Sequence, residues 1–165
     1  MLNKTIVLLM ALGALGCAPR ETVTVDADVS QEDLAPYQAP GTASVTGQGF
    51  MRQRGGTVVT CAGEDVYLMP DLPPIRNAIQ ALAGGHDVEL AGARRWGPAA
   101  HRSQCDAQGN FAFENLPAAT WQVLTTVSWE VDRRPQGGGL ARVVTTTDGE
   151  VTNVLLTDAD VVTAF

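Results

Sequence analysis

The 165 residues suffice for one domain of ordinary size and are too few for two. Eleven Lys plus Arg against eighteen Asp plus Glu leave a net charge of -7, which argues against a basic nucleic-acid-binding surface. With 45% hydrophobic residues, 17 Gly and 9 Pro, the chain is too apolar for wholesale disorder and too punctuated for a helical bundle.

Met1 to Thr5, with Lys4, is a short basic start, and Ile6 to Gly16 is an apolar run of eleven residues. That run is too short for a permanent membrane span of about 20 residues. Its length and order suit an export signal, so residues 1–16 read as a signal peptide. The stop, Ala14-Leu15-Gly16-Cys17, resembles the processing site of bacterial lipoproteins, with Ala14 standing where Leu is usual. The resemblance implies a diacylglycerol on the Cys17 thioether, cleavage before Cys17 and acylation of the new amino group. Several acyl chains anchor stably where one is marginal. Ala18 in place of Asp resembles the outer-membrane class, so the expected location is the cell envelope, with the membrane as partner through the lipid. Cleavage leaves 149 residues with ten Arg, no Lys and a net charge of -8, which removes Schiff-base and phosphate-binding lysine chemistry.

From Ala18 to Ala43 no period is sustained, and Glu21, Asp26, Asp28, Glu32 and Asp33 crowd with Pro36 and Pro40. Residues 17–43 therefore read as a lipidated cysteine on an acidic, flexible tether, spanning tens of ångströms. Thr22 to Val25 is its one strand-like scrap, fit to add an edge strand. The globular pattern covers residues 44–165. Thr57–Cys61 and Glu64–Met69 are short strand-like runs; in the second, Val66 and Leu68 share one face, Tyr67 and Met69 the other. The period then changes: Ile75, Ile79 and Leu82 form one helical stripe, begun by Pro73-Pro74 and stopped by Gly84-Gly85. Residues 84–100 read as a loose excursion carrying an exposed-looking Trp96, inside an insert of residues 70–104.

Asp106 to Asn110 is a turn, after which Phe111 and Phe113 alternate with Ala112 and Glu114. From Trp121 the odd positions Val123, Thr125, Val127, Trp129 and Val131 build one apolar face, opposed by Gln122, Leu124, Thr126, Ser128 and Glu130. Arg133 to Gly139 reads as a flexible turn, Leu140–Thr147 as a returning strand and Val151–Thr157 as the last. Six to eight short strands with one inserted helix give a mainly β fold, an antiparallel β-sandwich.

The stretch Cys105-Asp106-Ala107-Gln108-Gly109-Asn110-Phe111-Ala112-Phe113-Glu114-Asn115-Leu116-Pro117, continuing to Trp121-Gln122-Val123, resembles the hallmark of carboxypeptidase regulatory-like, transthyretin-like sandwich domains. There an Asp/Gly turn enters a strand of alternating Phe, and an Asn-Leu-Pro turn precedes a strand that begins with an aromatic. The resemblance covers roughly residues 45–157 and departs at Ala119, where Gly is common, and at the insert. It implies the noncatalytic appendage of those enzymes and brings no peptidase zinc site.

In an exported protein the pair Cys61 and Cys105 is most simply a disulfide closing about 44 residues. The rival use, a metal held by His101 and Cys105 with His86 and Asp87, lacks the paired spacing of zinc sites. No phosphate loop, H-E-x-x-H motif or G-x-S-x-G elbow is present. No catalytic residue, metal or other cofactor is expected, and Asp65, Asp87 and Asp106 read as turn acids, not calcium ligands. Arg94, Arg95 and Trp96, with Arg133 and Arg134, are the candidates for a contact surface, because Arg and Trp concentrate at binding hot spots. Trp121 and Trp129 read as core. The leading expectation is a noncatalytic, lipid-anchored envelope protein that binds a partner protein or glycan. The alternative is a small hydrolase or ligand-processing protein, which requires His86, His101 and an acid to converge in the insert.

Overall fold

The computed structural model describes residues 20–92 and 96–165. The fold is mainly β, with two helices and several antiparallel pairings. Its elements are β1 (Thr22–Asp26), α1 (Gln31–Gln38), β2 (Ala43–Arg52), β3 (Val58–Thr60), β4 (Asp65–Pro70) and α2 (Pro73–Ala83), followed by β5 (Asp87–Ala91), β6 (His101–Gln104), β7 (Asn110–Leu116), β8 (Thr120–Val131), β9 (Arg134–Thr145), β10 (Val151–Leu156) and β11 (Val161–Ala164).

Five strands form one antiparallel sheet in the order β11-β9-β8-β4-β6. A second sheet is built on β2, flanked by β10 on one edge and by β7 and β3 in succession on the other. Period-two patterning decides which side chains meet. Val123, Thr125 and Val127 of β8 are buried, as are Val66 and Leu68 of β4 and Phe111 and Phe113 of β7, and they share a core with Val45, Val154 and Leu156. Cys61 and Cys105 are disulfide-bonded within it. The helix expected from Ile75, Ile79 and Leu82 is α2, which starts on two prolines and closes at Gly84. Asp106 organises the predicted turn by accepting from the backbone N–H of Gln108 and of Asn110, both at 2.8 Å.

Four expectations need correction. The pairing is not wholly antiparallel, because β10 runs parallel to β2 and β1 parallel to β5. Residues 20–43 are not a free tether. The Thr22–Val25 scrap does become a strand, and α1 follows, capped by Ser30, whose hydroxyl accepts from the Asp33 N–H at 3.1 Å. Leu34, Ala27 and Val29 are buried in a second core with Ile75 and Trp96. An acidic composition concealed three apolar side chains that find their partners only in tertiary contact.

The 84–100 excursion contains β5, and the next residues form β6, so much of the insert is regular structure. Finally, Arg133 to Gly139 is not a turn. A two-residue turn at Asp132 and Arg133, with φ of 50° and 62°, joins β8 directly to β9. Gly137 and Gly138 lie inside β9 because neighbours leave no room: a Cβ would sit 2.0 Å from the Val127 carbonyl oxygen and 2.2 Å from that of Thr163.

Where the first core meets α1, Trp121 is fully buried, with Tyr37 and His101 edge-on at ring distances of 4.9 and 5.3 Å. Burial pushes the Tyr37 phenol above its ordinary range, and the nearby Asp71 carboxylate adds to this. His101 Nε2 is buried and makes no hydrogen bond among the described residues, and desolvation holds the imidazole below its usual value near 6.5. Unfolding lets this ring take up a proton that the folded state resists. Its contribution to stability is therefore full above pH 6.5 and declines as pH falls below that value. Denaturant midpoints measured from pH 7.5 to 5 should fall more steeply for the native chain than for His101→Phe. Parallel slopes would exclude the ring as the cause.

Candidate functional site

β8 extends beyond the body of the sheet, and its core-facing stripe emerges with it. Val127 is buried, Trp129 is half-buried and Val131 is 49% exposed, all on the same face of the strand. Trp129 packs against the core on one side. On its open side lies a trough of about 810 Å³ whose walls come from three places: Arg52, Gln53 and Arg54 at the end of β2 and into its turn, Trp129 of β8, and Arg134 with Gln136 of β9. Arg52, Arg54 and Arg134 are all exposed, and among the described residues none of their guanidinium groups lies within ion-pair distance of a carboxylate, although the Asp158 carboxylate accepts from the Arg52 backbone N–H at 3.1 Å. Asp132 is the acid on the trough wall. The trough therefore combines a half-open indole, three guanidinium groups and two side-chain amides. That set suits stacking on the flat face of a ring and forked hydrogen bonding to a planar anion or to hydroxyls.

Among the residues expected at a contact surface, Arg134 lies in this trough and Arg133 is exposed in the adjoining turn. Arg94 and Arg95 lie outside the described residues. Trp96 is not exposed. It is 3% accessible, and its indole N–H donates to the Ala27 carbonyl at 2.7 Å, so it closes the second core. Trp121 is core, as expected, whereas Trp129 serves both core and trough. Sequence reading missed Arg52 and Arg54. Their spacing of two, where β2 runs out into the Gly55-Gly56 turn, was the available signal, but nothing local ties them to a Trp 75 or more positions later.

No catalytic constellation is assembled among the described residues. His86 Nδ1 lies 3.9 Å from a carboxylate oxygen of Glu21, while His101 packs edge-on against Trp121, and among the described residues the two share no partner. Asp65 accepts from Arg102 at 2.7 Å, and that hydrogen bond holds its carboxyl below the usual range. The Asp106 carboxyl is lowered chiefly by the Asn110 side chain, then by the backbone N–H groups of its turn. No group of three or more His, Cys, Asp or Glu among the described residues is placed to hold a metal ion.

A second open trough, of about 820 Å³, lies over the outward face of β10, β2 and β7. Its amides are each held at one end: Thr46 Oγ1 donates to Asn153 Oδ1 at 2.7 Å, and Gln48 Nε2 to the Gln108 carbonyl at 2.8 Å. It offers neither a cation nor an aromatic face apart from the mostly buried Phe111.

No family model matches the chain, and no curated protein matches it. Among solved structures, a protein of Pseudomonas aeruginosa provisionally described as carbohydrate binding superposes with a TM-score of 0.65 at 21% identity, over 79% of this chain and 97% of its own. This likeness shows a common fold. A minor pilin of Streptococcus agalactiae aligns at a TM-score of 0.41 and 12% identity, over 72% of this chain and 44% of that one.

Proposed function

We propose that the chain is a noncatalytic binding module of the bacterial envelope, a two-sheet sandwich with an insert at 70–104, and that it takes an acidic glycan at the Trp129 trough. The observation that carries this reading is the presence around a half-open indole of three guanidinium groups that have no carboxylate partner among the described residues, in a protein whose net charge is -7. Carboxylated sugar rings present both complements, an apolar ring face and a planar anion. The P. aeruginosa protein of the same fold, provisionally described as carbohydrate binding, supports the ligand class. A partner protein is the second occupant that such a surface admits.

Calorimetric titration with a uronic-acid polysaccharide tests the reading. Trp129→Ala and Arg134→Ala should each weaken binding roughly tenfold or more, and raised salt should weaken it further. Asn153→Ala, in the other trough, should leave binding unchanged. Equal affinity of the Trp129→Ala variant and the native chain would exclude the site. Anchoring is a separate part of the proposal: Cys17 carries the lipid that holds the module to the membrane, in the outer membrane by the Ala18 criterion. Labelled palmitate should enter the native chain and not Cys17→Ser, and absence of label from both would exclude the anchor.

A further inference from the structure

β10 is an edge of the second sheet, and its register with β2 fixes what that edge presents. The Ser44 N–H donates to the Glu150 carbonyl at 3.0 Å, and the parallel pairing runs from Val151 opposite Ser44 to Leu156 opposite Gly49. In a parallel ladder only alternate residues bond a given neighbour. Because bonding begins at Glu150, Thr152, Val154 and Leu156 turn their main-chain groups to β2, and Val151, Asn153 and Leu155 turn theirs away. Among the described residues those outward N–H and C=O groups have no partner.

Free edges are ordinarily blunted by a lysine, a proline, a bulge or an inward charge. Val151-Thr152-Asn153-Val154-Leu155-Leu156 has none of these: it carries no ionisable group in a chain of eighteen acids, and its register with β2 is unbroken. Val151 and Leu155, at 59% and 53% exposure, are among the most exposed large apolar side chains of the described residues. Glu150 precedes the strand. The next acids on either side are held by their own chain, Asp148 by the Thr42 N–H at 3.5 Å and Asp158 by the Arg52 N–H at 3.1 Å.

Unpaired main-chain groups select an extended strand as occupant, and the order of the side chains selects which strand. An antiparallel copy of β10 about a two-fold axis at Asn153 sets Asn153 opposite its own equivalent, and Val151 opposite Leu155 of the second copy on both sides of the axis. Every free N–H and C=O of the edge is then exchanged, apolar side chains meet apolar ones, and no carboxylate is opposed within the strand. Moving the axis to Thr152 carries Leu155 onto Gly149, beyond the strand, and moving it to Val154 carries Val151 onto Thr157.

We propose that β10 pairs with β10 of a second copy, antiparallel about Asn153, to make one continuous sheet across a homodimer. Thr46 Oγ1 donates to Asn153 Oδ1, so on the outer face the two copies meet as a row of hydroxyls and amides. One strand pair is small beside the roughly 1,600 Å² of a standard interface, so the dimer is of the reversible, concentration-dependent class. With a net charge of -7 on each copy, added salt should strengthen it, the reverse of its effect on an acidic glycan. The proposal is independent of glycan binding and of the anchor.

Sedimentation of the full chain from micromolar to millimolar concentration tests it and should show a monomer passing into a dimer. Asn153→Pro removes an N–H that bonds nothing in the monomer, so it should leave thermal unfolding unchanged and weaken the dimer about tenfold or more. Asn153→Lys and Asn153→Asp each put like charges face to face on the axis and should each weaken it about as much, while their equimolar mixture should recover at least native affinity. A chain that stays monomeric at millimolar concentration overturns the proposal, as does a dimer that Asn153→Pro leaves intact. Charge variants that dimerise alone as well as they do when mixed overturn the axis at Asn153. If a synthetic Thr-Val repeat peptide slows amide exchange at Val151, Asn153 and Leu155 while a rise in the chain's own concentration does not, the edge takes a foreign strand and the homodimer is overturned.

Discussion

Replacing both Cys61 and Cys105 by Ala should destabilise the fold by about 2–5 kcal/mol, the largest effect expected of any change outside the bulky core side chains. The bridge spans 44 residues, and that interval contains β4, α2, β5 and β6. Closing it removes a wide set of conformations from the unfolded chain. It also joins the end of β3 to the turn before β7, and both cysteines are nearly inaccessible, so their truncation leaves a cavity in the core as well. Urea unfolding of the native chain and the double variant, at equal slope, measures the difference. A shift of the midpoint equivalent to under 1 kcal/mol would show that the loop closure contributes little here. Reductant should reproduce the loss slowly, since the sulfurs are reached only when the core opens.

The second large effect is expected from a single hydroxyl. Thr146 is 3% exposed, and its Oγ1 accepts from the Trp121 indole N–H at 3.1 Å and from the Ala119 N–H at 3.0 Å while donating to the Pro117 carbonyl at 2.7 Å. One side chain thus satisfies the turn before β8 and the largest residue of the core. Thr146→Val keeps the shape and leaves two buried polar groups and the half-buried Ala119 N–H without this partner. At about 1–3 kcal/mol for each unsatisfied group, reduced by whatever relaxation the turn allows, the expected loss is about 3 kcal/mol. Thr146→Ser, which keeps the oxygen, should recover most of it. Thermal unfolding followed by Trp fluorescence distinguishes the two variants. Equal melting of the Val and Ser forms would show that the network contributes packing alone.

Local patterns carried the central part of the fold. Phe111 and Phe113, the alternation through β8 and the prolines and glycines that bound α2 each encode their placement within a short window, and the Cys pair, 44 residues apart, was legible because only two cysteines follow Cys17. Backbone pairings made across long separations were not legible. β1 meets β5 in parallel, 65 residues on at Thr22 and Asp87, and a lone Leu34 among acids gave no hint that α1 closes a core. The Ser30-x-x-Asp33 cap was the one local clue. Trp96 misled because arginines and a Gly-Pro pair surround it, while its partner, Ala27, lies 69 positions earlier. Gly137 to Gly139 misled because glycine usually marks a turn, and here it marks the close approach of neighbouring strands. The Trp129 trough was legible only through Arg134. Its other two cations come from a separate hairpin, and the emergence of a core stripe from the end of β8 is a property of strand length against sheet width, not of any motif.

The folding of residues 20–43 into the body would constrain any attachment made through Cys17. A tether of that length would let the domain range over a wide shell above a bilayer. With Arg20 already held against Thr163 and Ala164, a lipid carried on Cys17 would be only three peptide steps from the folded surface, a reach of about 10 Å. A molecule anchored at Cys17 would then ride with its β11 and α2 end against the headgroups. Its freedom would be that of a buoy moored on a short chain, able to spin about the membrane normal but not to turn its moored end outward.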